Sequence, residues 1–336
     1  MKISHLIVAL IVASVTPAYA AGFSLSNYSV SATYALDALN ATSGGISGLE
    51  GSAIAYASDR KSLFFVGDEG TGVVEISLTG QTLGYMNFDW AGTGSTKHDT
   101  EGLTYLGNGQ LVVGEERLQD AYKFSYVKNG TATLANSFVS IRNTTVGNDG
   151  MEGISYDPRN GSFVTVKQDV PEDILSGTLS FAAATGGLPA TLPKDGASPN
   201  GGGAASMTQL FDPTLLGLTT FSDVQTLGIL GSDNLLVLSL GSKKLVETDR
   251  QGNIKSVFDL SNVLPHNAIE GVTIDENGTI YLVAEQVQDG TALANEKSQL
   301  IVLSSTLAPI PEPETYAMLI AGLGLMGFVV GRRKNS

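Results

Sequence analysis

The chain contains no cysteine. Disulfides, thiolate nucleophiles and Cys-based zinc centres are therefore excluded. It has 3 histidines and a single tryptophan, Trp90, and only 15% of its 336 residues are charged. Cations are scarce: 19 Lys and Arg face 33 Asp and Glu, a formal net charge of −14. Phosphate recognition needs clustered Lys and Arg, so nucleic acid is not expected as a partner. No Gly-x-Ser-x-Gly elbow and no phosphate loop occurs. Glycine is abundant, with 40 residues, and 42% of the chain is hydrophobic. Low charge with much Gly, Ser and Thr fits a β-rich extracellular protein. The acidic surplus fits solubility outside the cell, or carboxylates used as cation ligands.

Both ends read as processing segments. Residues 1–20 carry Lys2, the apolar run LIVALIVASV and the small-x-small site Ala18-Tyr19-Ala20. That order is a secretory signal peptide, with a mature chain from Ala21. At the other end, 309–336 holds Pro311-Glu312-Pro313, an apolar run over 315–330, and Arg332, Arg333 and Lys334. The run is shorter than the roughly 20 residues a spanning helix needs. Its basic flank belongs on the cytoplasmic side. This tripartite tail resembles the PEP-CTERM sorting signal of Gram-negative bacteria. The resemblance implies an exosortase-type processing enzyme as a partner. It also implies export across the inner membrane, contact with the membrane only through this segment, and a final place at the cell surface or outside. A permanent C-terminal anchor is the open alternative.

Between the ends, 21–308 reads as one domain built on a repeat. Glu-Gly recurs at Glu50-Gly51, Glu101-Gly102, Glu152-Gly153 and Glu270-Gly271, with the first three copies 51 residues apart. Each opens a short strand: LEGSAIAY, TEGLTYL, MEGISYD and IEGVTID. A second apolar strand follows each, at 63–69, 111–116, 163–168 and 280–286. Asn108-Gly109, Asn160-Gly161 and Asn277-Gly278 lie between first and second strands and predict hairpins, because such turns need positive φ. The gap before Glu270 holds a degraded copy over 222–253, with Asp223 near the place of the Glu. The surplus length falls on a Gly/Ala-rich insert at 183–205. Units near 50 residues are propeller-blade-sized. The expectation is an all-β, five-bladed β-propeller whose N-terminal strand, within 23–36, closes the last blade. Six blades remain open if the insert hides strands.

The motifs DTEGLTY with LVVGEE, GMEGISYDP with FVTVKQ, LLVLSLGSKKLVETDRQG, and AIEGVTIDENGTIYLVAEQ resemble the SdiA-regulated (YjiK-like) family of bacterial β-propellers. The resemblance covers roughly 45–305. It implies a five-bladed propeller that binds calcium through repeat carboxylates, with no established enzymatic activity. The chain departs from the pattern at its fourth unit, where Leu240-Gly241 follows the second strand.

The first strand of a blade lies nearest the axis, so Glu50, Glu101, Glu152 and Glu270 are expected together at one axial end. Converging carboxylates repel unless a cation or hydrogen bonds compensate. Calcium takes 6 to 8 oxygen ligands in flexible geometry, and Asp68, Glu69, Glu115 and Glu285 at second-strand ends can add oxygens. The alternative is that each Glu caps backbone N–H groups of a neighbouring blade. His98 and His266 precede Glu101 and Glu270, and are either loop residues in water or a base or ligand beside the acids. Lys167 and Arg117 follow second strands and can balance the acidic ring. Two functions fit: a calcium-binding, non-enzymatic surface protein that holds an extracellular polysaccharide or protein, or a calcium-dependent hydrolase of phosphoesters, esters or lactones. The second resembles phytase-like esterases, with His98 or His266 as general base.

Overall fold

A computed structural model describes residues 22–36, 50–68, 70–142, 144, 146–169, 171–187, 196–287 and 298–306. The signal peptide and the C-terminal sorting segment lie outside the described residues, as does Glu69. The chain from Phe23 to Ala308 forms one compact unit.

Among the described residues five sheets follow one another along the chain, each built on four antiparallel strands. Blade 1 comprises Gly51–Ala57, Ser62–Gly67, Gly72–Ile76 and Thr82–Asp89. Blade 2 comprises Thr100–Gly107, Gln110–Glu115, Asp120–Ser125 and Phe138–Ser140. Blade 3 comprises Met151–Asp157, Ser162–Lys167, Asp173–Ser180 and Ala204–Gln209. Blade 4 comprises Phe221–Thr226, Leu235–Ser239, Lys244–Thr248 and Ile254–Asp259. Blade 5 comprises Asn267–Ile274, Ile280–Val287 and Gln299–Ser305, and its fourth strand is the N-terminal Tyr28–Ala35. The expected closure is therefore present: the start of the chain covers the edge that its end leaves open.

The first strand of every blade contacts the first strands of both neighbours, which closes a ring. There is no single central core. Five apolar slabs fill the spaces between blades. One joins Phe64 and Phe88 to Tyr122 and Phe138, another Val164 and Ile174 to Val224 and Val237. Both faces of each blade are thus covered, which is why inner strands such as Gly51–Ala57 are buried throughout instead of alternating.

Two connections cross between blades. Thr131–Thr133, between the third and fourth strands of blade 2, pairs in parallel with the outer strand of blade 1. The insert joins the last two strands of blade 3 and lies against blade 2: Phe138 N donates to Ala182 O at 2.9 Å, and Ser198 Oγ to the Asp120 carboxylate at 2.9 Å. Among the described residues the insert adds no sixth sheet, so the six-blade alternative is replaced by five blades. The hairpin expectation is met in full only at Asn108-Gly109, where both residues have positive φ. At Asn160-Gly161 and Asn277-Gly278 only the glycine does, because these turns are longer and hang on Asp157 O and Asp275 O.

Neighbouring inner strands approach so closely that the repeat glycines have no room for a side chain. A Cβ on Gly153 would lie 2.7 Å from Asp223 Cα, and one on Gly271 would lie 2.9 Å from Ala53 Cα. Gly153→Ala is expected to cost about 2 kcal/mol or more in denaturant unfolding, the scale of core overpacking. An unchanged midpoint would show that the strands can move apart freely.

Candidate metal centre

Each inner strand has a bulge near its start. The pairing skips Ser52, Glu101, Glu152, Ser222 and Glu270 in blades 1 to 5. A bulged residue is unpaired and the strand bends there, which re-aims its side chain. Ala53, Gly102, Gly153, Asp223 and Gly271 come next and resume the ladder. The Glu-Gly pair is therefore one device. Glycine admits the neighbouring strand, and the bulge turns the glutamate toward the other blades.

This register corrects two expectations. Glu50 lies two residues before the bulge, and Ser52 is the true counterpart of the repeat glutamates in blade 1. Asp223 stands in the glycine place of blade 4, and Ser222 in the glutamate place. Asp223 is fully buried and acts as a backbone cap. Its Oδ1 accepts from Val224 N and its Oδ2 from Val272 N on blade 5, both at 2.7 Å. Burial pushes its carboxyl well above the usual range, against the pull of those two N–H groups.

Glu101, Glu152 and Glu270 converge from blades 2, 3 and 5. All three are buried, and burial first, then repulsion from neighbouring acids, raises each carboxyl well above its ordinary value: chiefly Glu152 acts on Glu101, Glu116 on Glu152, and Glu285 on Glu270. Two further acids that sequence reasoning left out of the ligand set complete the group. Asp99 precedes the inner strand of blade 2, and Glu116 follows its second strand; burial raises both. Asp68, Asp99 and Glu101 each bring a carboxylate oxygen within 4.8 Å of the others. Glu116 reaches Glu152, and Glu285 reaches Glu270, each within hydrogen-bonding range. Glu50 joins at the margin, where its charge acts on Glu270. Two carboxyl groups can share such a hydrogen bond only if one is protonated. A bound cation relieves the same repulsion without the proton.

Glu115 does not join this group. Alternate strand positions face opposite ways, so Glu116 takes the axial side and Glu115 the other. Glu115 accepts from Ser95 Oγ and Leu118 N, both at 2.7 Å, and burial lifts it to about 7. Nearby, Asp120 accepts from Ser198 Oγ and is lifted by burial to about 7.

Positive charge reaches the axial group from its rim. Arg117 Nε donates to Asp99 Oδ2 at 2.5 Å. Lys167 Nζ donates to the carbonyls of Asp169 and Pro171, stands within electrostatic reach of Glu116, and has its pKa lowered by burial. His98 takes a left-handed φ of 62° and stacks on Trp90, with ring centroids 4.8 Å apart and planes within 10°. His266 sits on the loop that leads into the inner strand of blade 5. The tight Asp68–Asp99–Glu101 cluster contains neither histidine.

Five sheets around an axis, one end of it lined by buried carboxylates, define a five-bladed β-propeller with a candidate cation site. The chain belongs to the SdiA-regulated family, which it matches over residues 31–287. Residues 309–334 match the PEP-CTERM protein-sorting motif. Among similar solved structures is Myxococcus xanthus glutaminyl cyclase, at 12% identity and TM-score 0.48, covering 82% of this chain and 95% of that one. A luciferin-regenerating enzyme is similar at 10% identity and TM-score 0.43, with the same coverages. The β-propeller domain of Myceliophteria thermophila Cps50 (Swd1) is similar at 11% and 0.37, covering 85% and 73%. Among the described residues no helix is long and apolar enough to cross a membrane.

Raised carboxylates fix the sign of the pH dependence. Their folded forms hold protons more tightly than the unfolded chain does. The stability they contribute is therefore full below the unfolded pKa near 4 and is lost as pH rises toward the folded value. With Glu115 and Asp120 both near 7, the chelator-treated protein should melt lower at pH 8 than at pH 5, and Asp120→Asn should flatten the slope. A melting temperature that rises over that interval would contradict these positions.

Proposed function

We propose that this protein is exported, processed at its C-terminal sorting motif by an exosortase-type enzyme, and works at the cell surface or beyond it as a calcium-binding propeller that holds a partner without turning over a substrate. One observation carries the cation reading: Glu101, Glu152 and Glu270 meet from three blades, with Asp68, Asp99, Glu116 and Glu285 beside them. The donors are hard carboxylate oxygens with no sulfur, which suits calcium over softer metals. Asp68, Asp99 and Glu101 would hold the ion, with Glu152 and Glu270 next. A bound divalent cation supplies there the positive charge that the buried acids lack. The residues do the rest: bulges aim the glutamates, Arg117 fixes Asp99, and the close inner strands keep the group in place.

The binding reading also draws support from the histidines. The ring of His98 stacks on Trp90, and the charges that act on Glu101 and Glu152 are those of other acids. The sorting motif supports work outside the cytoplasm.

Isothermal titration of chelator-treated protein with calcium should show saturable binding. At calcium about 100 times Kd, linkage stabilises the fold by about 2.7 kcal/mol, read as a rise in melting temperature that EDTA reverses. Glu101→Gln and Glu152→Gln should each weaken binding ~10-fold or more, about 1.4 kcal/mol. Asp223→Asn should instead lower the melting temperature and leave calcium affinity in place. No heat and no chelator-sensitive shift would overturn the cation reading.

A further inference from the structure

The opposite end of the axis has its own architecture. There the inner strands end around a cavity of about 270 Å³, lined by residues of all five blades. Three successive blades supply a tyrosine at the same register position, Tyr56, Tyr105 and Tyr156; blades 4 and 5 have Thr226 and Ile274 there. The position before it carries Thr104, Gln225 and Thr273 in blades 2, 4 and 5. Leu106, Pro158 and Ile229 complete the apolar part of the wall.

The polar floor is held rigidly. Thr104 Oγ1 accepts from Tyr156 N at 2.9 Å, and Thr273 Oγ1 accepts from Tyr56 N at 3.0 Å. Thr273 in turn donates to Gln225 Oε1 at 3.0 Å, while Gln225 Nε2 donates to Thr226 O at 2.8 Å. These bonds fix where hydroxyl and amide groups stand before any ligand arrives. The Thr104 hydroxyl accepts in this scheme, which leaves its proton for an incoming acceptor.

Among the described residues no charged side chain lines the cavity. The acids around it are engaged. Asp59 accepts from Tyr105 Oη at 2.6 Å and Asn108 N at 3.1 Å, Glu276 pairs with Lys61, and Asp157 is clamped by Arg159 and Arg250. The acids and bases named at the rim balance one another, and an interior without charged side chains gives neither an anion nor a cation a partner. The volume lies just below the usual ~300–1,000 Å³ of small-molecule sites. Aromatic and aliphatic walls over a fixed hydroxyl and amide floor match a molecule with apolar faces and hydroxyl-bearing edges.

We propose that this mouth is a binding site for a neutral saccharide, one or two rings in size, separate from the axial acids.

The test uses the purified protein with glucose, galactose, mannose, N-acetylglucosamine, cellobiose and maltose, and with galacturonate and glucosamine as charged controls. Titration calorimetry and saturation-transfer NMR read the binding. At least one neutral sugar should bind, and neither charged control should bind more tightly. Ser58→Trp at the exposed rim, whose folding is checked by its melting curve, should weaken binding ~10-fold or more. Thr104→Val should weaken it several-fold, and Glu101→Gln should leave it unchanged, so loss of the cation site and loss of this site are told apart. Absence of neutral-sugar binding at about 50 mM, well above a millimolar Kd, would overturn the proposal. Preferential binding of a charged control, or binding that survives Ser58→Trp, would do the same.

Discussion

Everything in this molecule depends on how closely five inner strands crowd around one axis. Where two of them touch, at Gly102, Gly153 and Gly271, even a methyl group has no space. Crowding also strands backbone N–H groups between blades, and each must find an acceptor. The chain answers with short polar side chains that reach sideways. Asp223 serves Val272 N, Thr104 serves Tyr156 N, Ser155 serves Thr226 N and Thr273 serves Tyr56 N. These bonds run from blade to blade, so they supply direction to slabs of apolar packing that have little of their own.

The same crowding makes the chemistry of the acidic end. A bulge is needed to bend each strand toward the axis, and whatever residue sits on it is carried there. Three blades place a glutamate on the bulge and two place a serine. Repulsion among the three is the cost of the arrangement, and the loops before and after the strands increase it with Asp99, Asp68 and Glu116. Net charge alone would not concentrate acids in this way, since most of the chain's carboxylates stand apart from the axis. Acids away from this end of the axis, such as Glu75 with Arg60 and Asp157 with Arg159 and Arg250, have cations of their own. The axial acids have chiefly one another, with Arg117 and Lys167 at the margin.

Much of the fold was legible in the sequence because its signals are local. Apolar runs separated by Asn-Gly turns give the strands, and their recurrence gives the blades. The strand that closes blade 5 was legible from a shortage of strands at the C-terminal end. The site was legible only in part. Glu101, Glu152 and Glu270 repeat the same local pattern and meet as expected. Glu50-Gly51 repeats the letters without the register: the bulge of blade 1 falls on Ser52, two residues after Glu50. Asp223 was one residue off, since the bulge of blade 4 falls on Ser222. Choosing Glu116 over Glu115 needs the facing of a strand end, and Asp99 needs the path of a loop. The Tyr56, Tyr105 and Tyr156 series was readable in the aligned copies as a tyrosine three residues after Gly102 and Gly153 and five after Gly51, a signal masked by the acids that precede it.

The account rests on the claim that the buried acids at the axis are a cation site. The most direct measurement is a crystal structure grown with calcium, with anomalous scattering recorded to locate the ion. The account predicts an anomalous peak among Asp68, Asp99, Glu101, Glu152 and Glu270. An axis without such a peak at saturating calcium, with the glutamates bound only to one another and to backbone N–H groups, would contradict it.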